Sequence, residues 1–276
     1  MRLLAWLPLA LVAALSSEAW GANEKPWTAI NAALDSVQRG AFDEAIDRLE
    51  LLADRGLVHP DASAARAYAY VERARSRGAR PGDLGRTAAA LEEARALDPD
   101  DSAAETALEQ VRAEIARRRA RQGSSPLVQR PTLGRAVTAL LSENLWAILA
   151  AFGSALLTAG LLLKRTGRRG AEIAGAVAIA TGLVFGMLGA GFAAAAWHYR
   201  TSSRPAVVVV PEARLLDIAG RALPARGTEA EGVPEGALVH VREQREDRAW
   251  VEWGSTRAWV QSAQLRLIAD KPGALP

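Results

Sequence analysis

Apolar residues recur at helical spacing along the first third of the chain. Ile30, Ala33, Leu34 and Val37 form one stripe, and Phe42, Ala45, Ile46, Leu49 and Leu52 the next. Ala64, Ala67, Tyr68, Val71 and Ala74 make a third stripe. Leu84, Thr87, Ala88, Leu91 and Ala94 make a fourth, and Ala104, Ala107, Leu108, Val111 and Ile115 a fifth. A helix with one apolar stripe buries it against another helix, so residues 22–121 are expected to stack as antiparallel pairs. Farther along, the polar positions vanish. Leu145 to Leu163 and Ile173 to Trp197 contain no charged residue, which predicts two membrane-spanning helices, over 143–163 and 173–197. After Pro205 the period shortens to that of strands: Ala206–Val210, Ala237–Arg242, Arg248–Trp253, Arg257–Val260 and Leu265–Ile268. Turn signals fall between them at Pro234–Gly236, Gln244–Asp247 and Gly254–Ser255. Five closely spaced strands within 204–270 predict a small barrel, because closure removes exposed edges. The fold class expected is therefore a multidomain membrane protein: an all-α repeat domain, a two-helix transmembrane hairpin and an all-β barrel.

The helical pairs carry a finer grammar. In the stretch from Gly82 to Asp100, Gly82 suits the tight inter-helix turn, Leu84 the large packing contact, Ala94 a close helix approach and Pro99 the helix stop. Gly40, Phe42 and Ala45 repeat that order earlier in the chain. These stretches resemble tetratricopeptide repeats, and the resemblance implies a concave groove that takes a protein segment. Ala45 and Thr87 stand farther apart than the family's period of about 34 residues, which implies an insertion around Gly78 to Pro81. The large aromatic and the glycine of each first helix are missing. The fifth helix is expected to cap the stack, its Arg117, Arg118, Arg119 and Arg121 forming a solvated end, and residues 122–142 to be a linker.

Charge orients the hairpin. Lys164, Arg165, Arg168 and Arg169 crowd the connector over 164–172, which places it in the cytoplasm and both outer ends on the other side. Trp146, Trp197 and Tyr199 then fall at one bilayer surface, where amphipathic rings prefer to sit. Gly175, Gly182, Gly186 and Ala190 on the second span, with Ala151, Ala155 and Ala159 on the first, give small-residue stripes for packing between the spans or on a partner. No Asp, Lys, Arg or His lies inside either span, so neither a proton relay nor an ion path is expected. Met1-Arg2, the apolar run Leu3 to Leu15 and Ala19-Trp20-Gly21 read as a signal peptide over 1–21, which exports the chain behind it. An uncleaved anchor is the alternative. The formal charge of +3 is small and interleaved, with no nucleic-acid footprint.

Chemistry is sparse. The chain has no cysteine, which excludes disulfides, thiolate catalysis and Cys-based zinc sites. His59, His198 and His240 have no motif-spaced carboxylate or nucleophile beside them, and no phosphate-binding loop, GxSxG or HExxH is present. No enzyme, metal or cofactor is expected. From Val233 onward the pattern through Gly236, Trp250, Val251, Trp259 and Val260 resembles bacterial SH3-like domains, and it assigns those two tryptophans and two valines to a barrel core. In their order, signal peptide, repeats, basic-loop hairpin and SH3-like domain resemble the BatE-type proteins of bacterial aerotolerance (Bat) operons. That resemblance implies a non-catalytic scaffold of the inner membrane with both soluble domains periplasmic. The partners it implies are von Willebrand factor A domain membrane proteins and a MoxR-type ATPase. The rival expectation is a wall-binding module whose SH3-like domain holds peptidoglycan.

Overall fold

The computed structural model describes residues 26–56, 58–123, 133–138, 140–223 and 232–269. The expected signal peptide lies outside them, as do residues 124–132 and 139 of the expected linker. Helix α1 (Pro26–Gln38) turns through Gly40, at φ 78°, into α2 (Phe42–Asp54). The amides of Gly40 and Ala41 reach back to Val37 and Ser36 and satisfy the last carbonyls of α1. Helix α3 (Pro60–Arg75) begins with proline at its first position, and its cap is His59, whose Nδ1 accepts the Asp61 amide at 3.2 Å. Gly82, at φ 88°, turns the chain into α4 (Asp83–Leu97). Asp101 then caps α5 (Ser102–Arg121) by accepting the Ala103 and Ala104 amides. Pro99 lies exposed in the loop between α4 and α5.

Two cores result. Ile30, Ala33, Val37, Ala45, Ile46 and Leu49 pack on Ala62, Ala65 and Ala69 of α3, with Phe42 half-buried at the edge. The second core joins Ala67 and Ala74 of α3 to Leu84, Ala88 and Leu91 of α4 and Leu108, Val111 and Ile115 of α5. Helix α4 departs from the single-stripe expectation. Gly85, Ala89, Ala90, Glu92 and Glu93 are buried along with its predicted stripe, so it is covered on every side.

The covering element is the β-unit. Strands β1 (Arg204–Val208), β4 (Leu238–Arg245), β5 (Arg248–Trp253), β6 (Thr256–Gln261) and β7 (Leu265–Leu267) form one antiparallel sheet in the order β6-β5-β4-β1-β7. A second ladder, which the sequence pattern does not predict, pairs β2 (Glu212–Arg214) with β3 (Gly232–Pro234). Strands β6 and β7 stand at opposite edges of the main sheet, yet only Ser262–Gln264 join them. A connector that short cannot cross a flat sheet of strands about 4.8 Å apart, so the sheet rolls. Its inner face holds Ala206, Val208, Val239, Val241, Ala249, Val251, Ala258 and Val260. The alternate residues Val207 and Val209 point the other way, into the core of α4 and α5, where Ile268 joins them. Strand β1 is thus buried on both faces.

Helices α7 (Glu143–Arg165) and α8 (Arg169–Thr201) are each long and apolar enough to cross a membrane, and they pack antiparallel along their length. The seam keeps the predicted glycines Gly175, Gly182 and Gly186 but none of the predicted alanines. Gly153 and Gly160 of α7 lie against Gly175, Gly182 and Gly189 of α8, with Ala150 facing Gly189. A Cβ on Gly153 would meet the Gly186 backbone, and one on Gly182 would lie 2.6 Å from Leu157 N. Ala151, Ala155, Ala159 and Ala190 are exposed instead. The buried glycines recur every seven residues, the repeat that keeps two slightly supercoiled helices in register; the i,i+4 spacing of Gly182, Gly186 and Ala190 drifts off that line. Short α6 (Leu133–Thr138) packs on the far end of α8, with Gly134 beneath the Tyr199 hydroxyl.

Candidate interaction surface

The join between helices and sheet is built from glycine and one carboxylate. A Cβ on Gly85 would lie 2.6 Å from the Val208 carbonyl and 2.9 Å from Val209 Cα, and one on Gly82 would strike the Val209 carbonyl. The two glycines form a notch that receives the end of β1. The first helical amides of α4 need acceptors, and its cap, Gly82, has no side chain to offer. Glu235, in the turn before β4, supplies one: its Oε1 accepts the Gly85 amide at 2.8 Å, across 150 positions of sequence. A carboxylate there also meets the positive end of the helix dipole. Burial pushes the Glu235 carboxyl above its ordinary pKa, opposed by the Gly85 amide and the Arg118 cation. Beside it, Gly236 at φ 71° leaves room for Ile115 Cδ1, which a Cβ would meet at 2.5 Å. At the other edge Arg266 of β7 pairs with Glu50 of α2 at 2.8 Å. Glu50 also accepts the Tyr70 hydroxyl, and burial followed by the Glu50 charge raises the Tyr70 pKa.

Buried ion pairs stiffen the helices behind this join. Arg73 grips Asp83 with two hydrogen bonds, at 2.6 and 3.1 Å, and also reaches Asp43 at 2.6 Å. Asp83 is 1% exposed and takes a further bond from the Arg80 amide. The Arg73 hydrogen bond holds Asp43 below the usual carboxylate range. Glu93 accepts from both Ser63 and Arg66, tying α3 to α4. Glu92 is clamped between Arg95 and Arg112.

Away from the join, two surfaces face solvent. On α3, Tyr68 is exposed, with half-buried Ala64 and Val71 on the same side. The helical spacing places Tyr68 in the stripe that α3 should bury, and its side chain faces solvent instead. The second lies on the β-unit. Trp250 and Trp259 are cross-strand neighbours with ring centroids 5.4 Å apart, and the Arg245 guanidinium lies over the Trp259 ring at 5.2 Å. Both rings project from the face opposite the valine core: Val251 and Val260 join that core, Trp250 is half-buried on the other face, and Trp259 is buried there at 5% exposure. Neighbours on a strand point to opposite faces, and Trp250 therefore cannot share a side with Val251. The segment Leu216–Leu223 folds over this face: Leu216 exchanges two backbone hydrogen bonds with Trp259, and Ile218 at its tip is 75% exposed. The result is an open cavity of about 380 Å³ lined by Ile218, Leu223, Trp250, Trp259, Arg245 and Arg257.

The remaining candidate residues scatter. Lys164 and Arg165 end α7, and Arg168 and Arg169 start α8, all exposed at the turn of the hairpin. Trp146 is buried against Phe192, its indole N–H directed at the Thr138 carbonyl, whereas Trp197 is exposed and Tyr199 half-buried. His59 meets Trp27 edge-on, His198 lies near Tyr199, and His240 stands opposite Glu252 on β5. Among the described residues, no three His, Asp or Glu gather as a metal site. Sequence reasoning missed Glu235, Gly85, Ile218 and Gly153. Gly85 was the available signal, since a second glycine so soon after the turn glycine Gly82, inside the first turn of the helix, implies close packing. Comparison with protein-family models, with curated proteins and with solved structures finds no match.

Proposed function

We propose that this protein is a non-catalytic adaptor of a bacterial envelope. In this reading α7 and α8 span the inner membrane and hold one helix-and-sheet block at its periplasmic surface. One observation carries the proposal: Gly82, Gly85 and Glu235 weld the segments before and after the hairpin into a block with a common core. Two segments that share a core lie at the same end of the hairpin, which agrees with a cytoplasmic position for the basic turn. A block with a preorganised surface suits binding rather than turnover, and the exposed face of α3 around Tyr68 is the surface offered to a protein partner. The helices are read as degenerate tetratricopeptide repeats and the rolled sheet as an SH3-like barrel. The partner class is then that of the Bat system: von Willebrand factor A domain membrane proteins served by a MoxR-type ATPase.

The test is a crosslinking pull-down from native membranes with the full chain and with Tyr68→Arg. Recovery of von Willebrand factor A domain proteins that is lost in the variant, at unchanged thermal stability, supports the adaptor. Equal recovery by both chains, or retention of wall polymer alone, refutes it.

A further inference from the structure

The Trp250 face has a fixed relation to the end of the hairpin. Helix α8 ends at Thr201 and β1 begins at Arg204, so roughly 10 Å of chain separates helix from sheet. If α8 spans a bilayer with Trp197 at its boundary, Arg204 stands at the edge of the headgroup layer. Strand β4 runs antiparallel to β1, and their pairing ends at Arg204 opposite Val241. Beyond that row β4 continues through Arg242–Arg245 with no β1 partner, back past the point where the chain enters the sheet. Four residues of strand extend roughly 14 Å, more than the depth of a headgroup layer.

The overhang is where the aromatic face is built. Glu243 pairs with Trp250, Trp250 with Trp259, and Trp259 with Leu216. Ile218 is the most exposed large apolar side chain among the described residues of the β-unit. Around it the charges alternate as close pairs, Asp217 with Arg221, Glu243 with Arg245 and Asp247 with Arg248. Paired charges of both signs flanking tryptophan and isoleucine match a layer of phosphates and amines over hydrocarbon.

We infer that the Ile218–Trp250 face of the β-unit, with Trp259 buried beneath it, lies on the phospholipid headgroup layer of the membrane that α7 and α8 cross. The inference rests on the reading of that hairpin as membrane-spanning. Contact at this face fixes the orientation of the whole block, because the block is welded to the sheet at Gly85 and Glu235. Helix α3 is then presented to partners at a set angle.

The chain has no cysteine, so single substitutions give unique labelling positions. Ile218→Cys, Glu109→Cys and Ile148→Cys, each exposed in the structure, are labelled with a fluorophore. The full chains are reconstituted in phosphatidylethanolamine–phosphatidylglycerol vesicles carrying nitroxide on either the headgroup or the acyl chain. The expected result is several-fold stronger headgroup quenching at 218 than at 109, with acyl-chain quenching at 148. Acyl-chain quenching at 148 with position 218 no more quenched than 109 overturns the surface contact and leaves the hairpin standing. No quenching at 148 overturns the hairpin reading itself. A label at 218 that ignores lipid nitroxide but responds to added peptidoglycan fragments reassigns the face to a glycan.

Discussion

At Glu235 a carboxylate performs for α4 the capping that a glycine cannot. Its burial has a pH signature with a definite sign. The folded pKa is raised, so above the ordinary value of 4.5 the native state holds more protons than the unfolded chain, and stability falls as pH rises toward the folded pKa. Glu235→Gln keeps an acceptor for the Gly85 amide without a charge to bury. It is expected to lose that fall and to match or exceed the parent at pH 7, in denaturant titrations of the detergent-solubilised chain across pH 4.5–8. Glu235→Ala leaves the amide without its acceptor and is expected to lose about 1–2 kcal/mol. Gly85→Ala tests the other side of the join: the added methyl meets β1 backbone, and a loss of about 1–3 kcal/mol is expected. Gly78→Ala, whose Cβ would meet only Ser76 at 3.4 Å, serves as the neutral control. Little of this is legible in the sequence. Gly82 advertises a turn by its place between helices, but that it also touches Val209 depends on a strand more than a hundred positions away.

Among the elements, α4 and the hairpin make the sharpest demands. Arg73 and Asp83 are both removed from water, and breaking one partner leaves the other charge buried and uncompensated. Arg73→Ala is expected to cost about 3–5 kcal/mol. Arg73→Met combined with Asp83→Asn, which keeps an acceptor for the Arg80 amide, is expected to recover most of that loss in the same unfolding assay. In the hairpin, Gly153→Leu forces α7 away from Gly186, while Ala190→Leu adds bulk on an exposed side. Disulfide crosslinking between cysteines at the ends of α7 and α8 should fall in the first variant and persist in the second. The helices themselves are readable because their stripes are local; Ala104, Leu108, Val111 and Ile115 are the buried side of α5 as the pattern requires. All five expected strand segments also fall in one sheet. Two kinds of information are not local. Alternation along β5 gives which residues share a face but not which face is the valine core, so the pattern alone does not show that Trp250 lies half-buried on the other face while Trp259 is buried there beneath Leu216–Leu223. The three-residue strands β2 and β3 are too short to show any period.

For the whole molecule, the shared core predicts that neither soluble segment is complete alone. Residues 204–269 expressed without the helices expose Val207, Val209 and Ile268 along one sheet face. Self-association in sedimentation, or binding of a hydrophobic dye, is the expected outcome; a dispersed, monomeric NMR spectrum would contradict it. The burial of α4 on every side also carries a consequence in time. The ribosome finishes α5 at Arg121, but the strand that covers α4 begins at Arg204, after the whole hairpin has been made. At about 5–20 residues per second, synthesis of the intervening chain takes on the order of ten seconds. Throughout that interval the notch at Gly82 and Gly85 is bare and the first amides of α4 await an acceptor from a segment not yet made. In the proposed topology the nascent helical segment waits half-finished on one side of a membrane for a strand that must be delivered through it, and a factor that shields an exported apolar face would have its period of demand there.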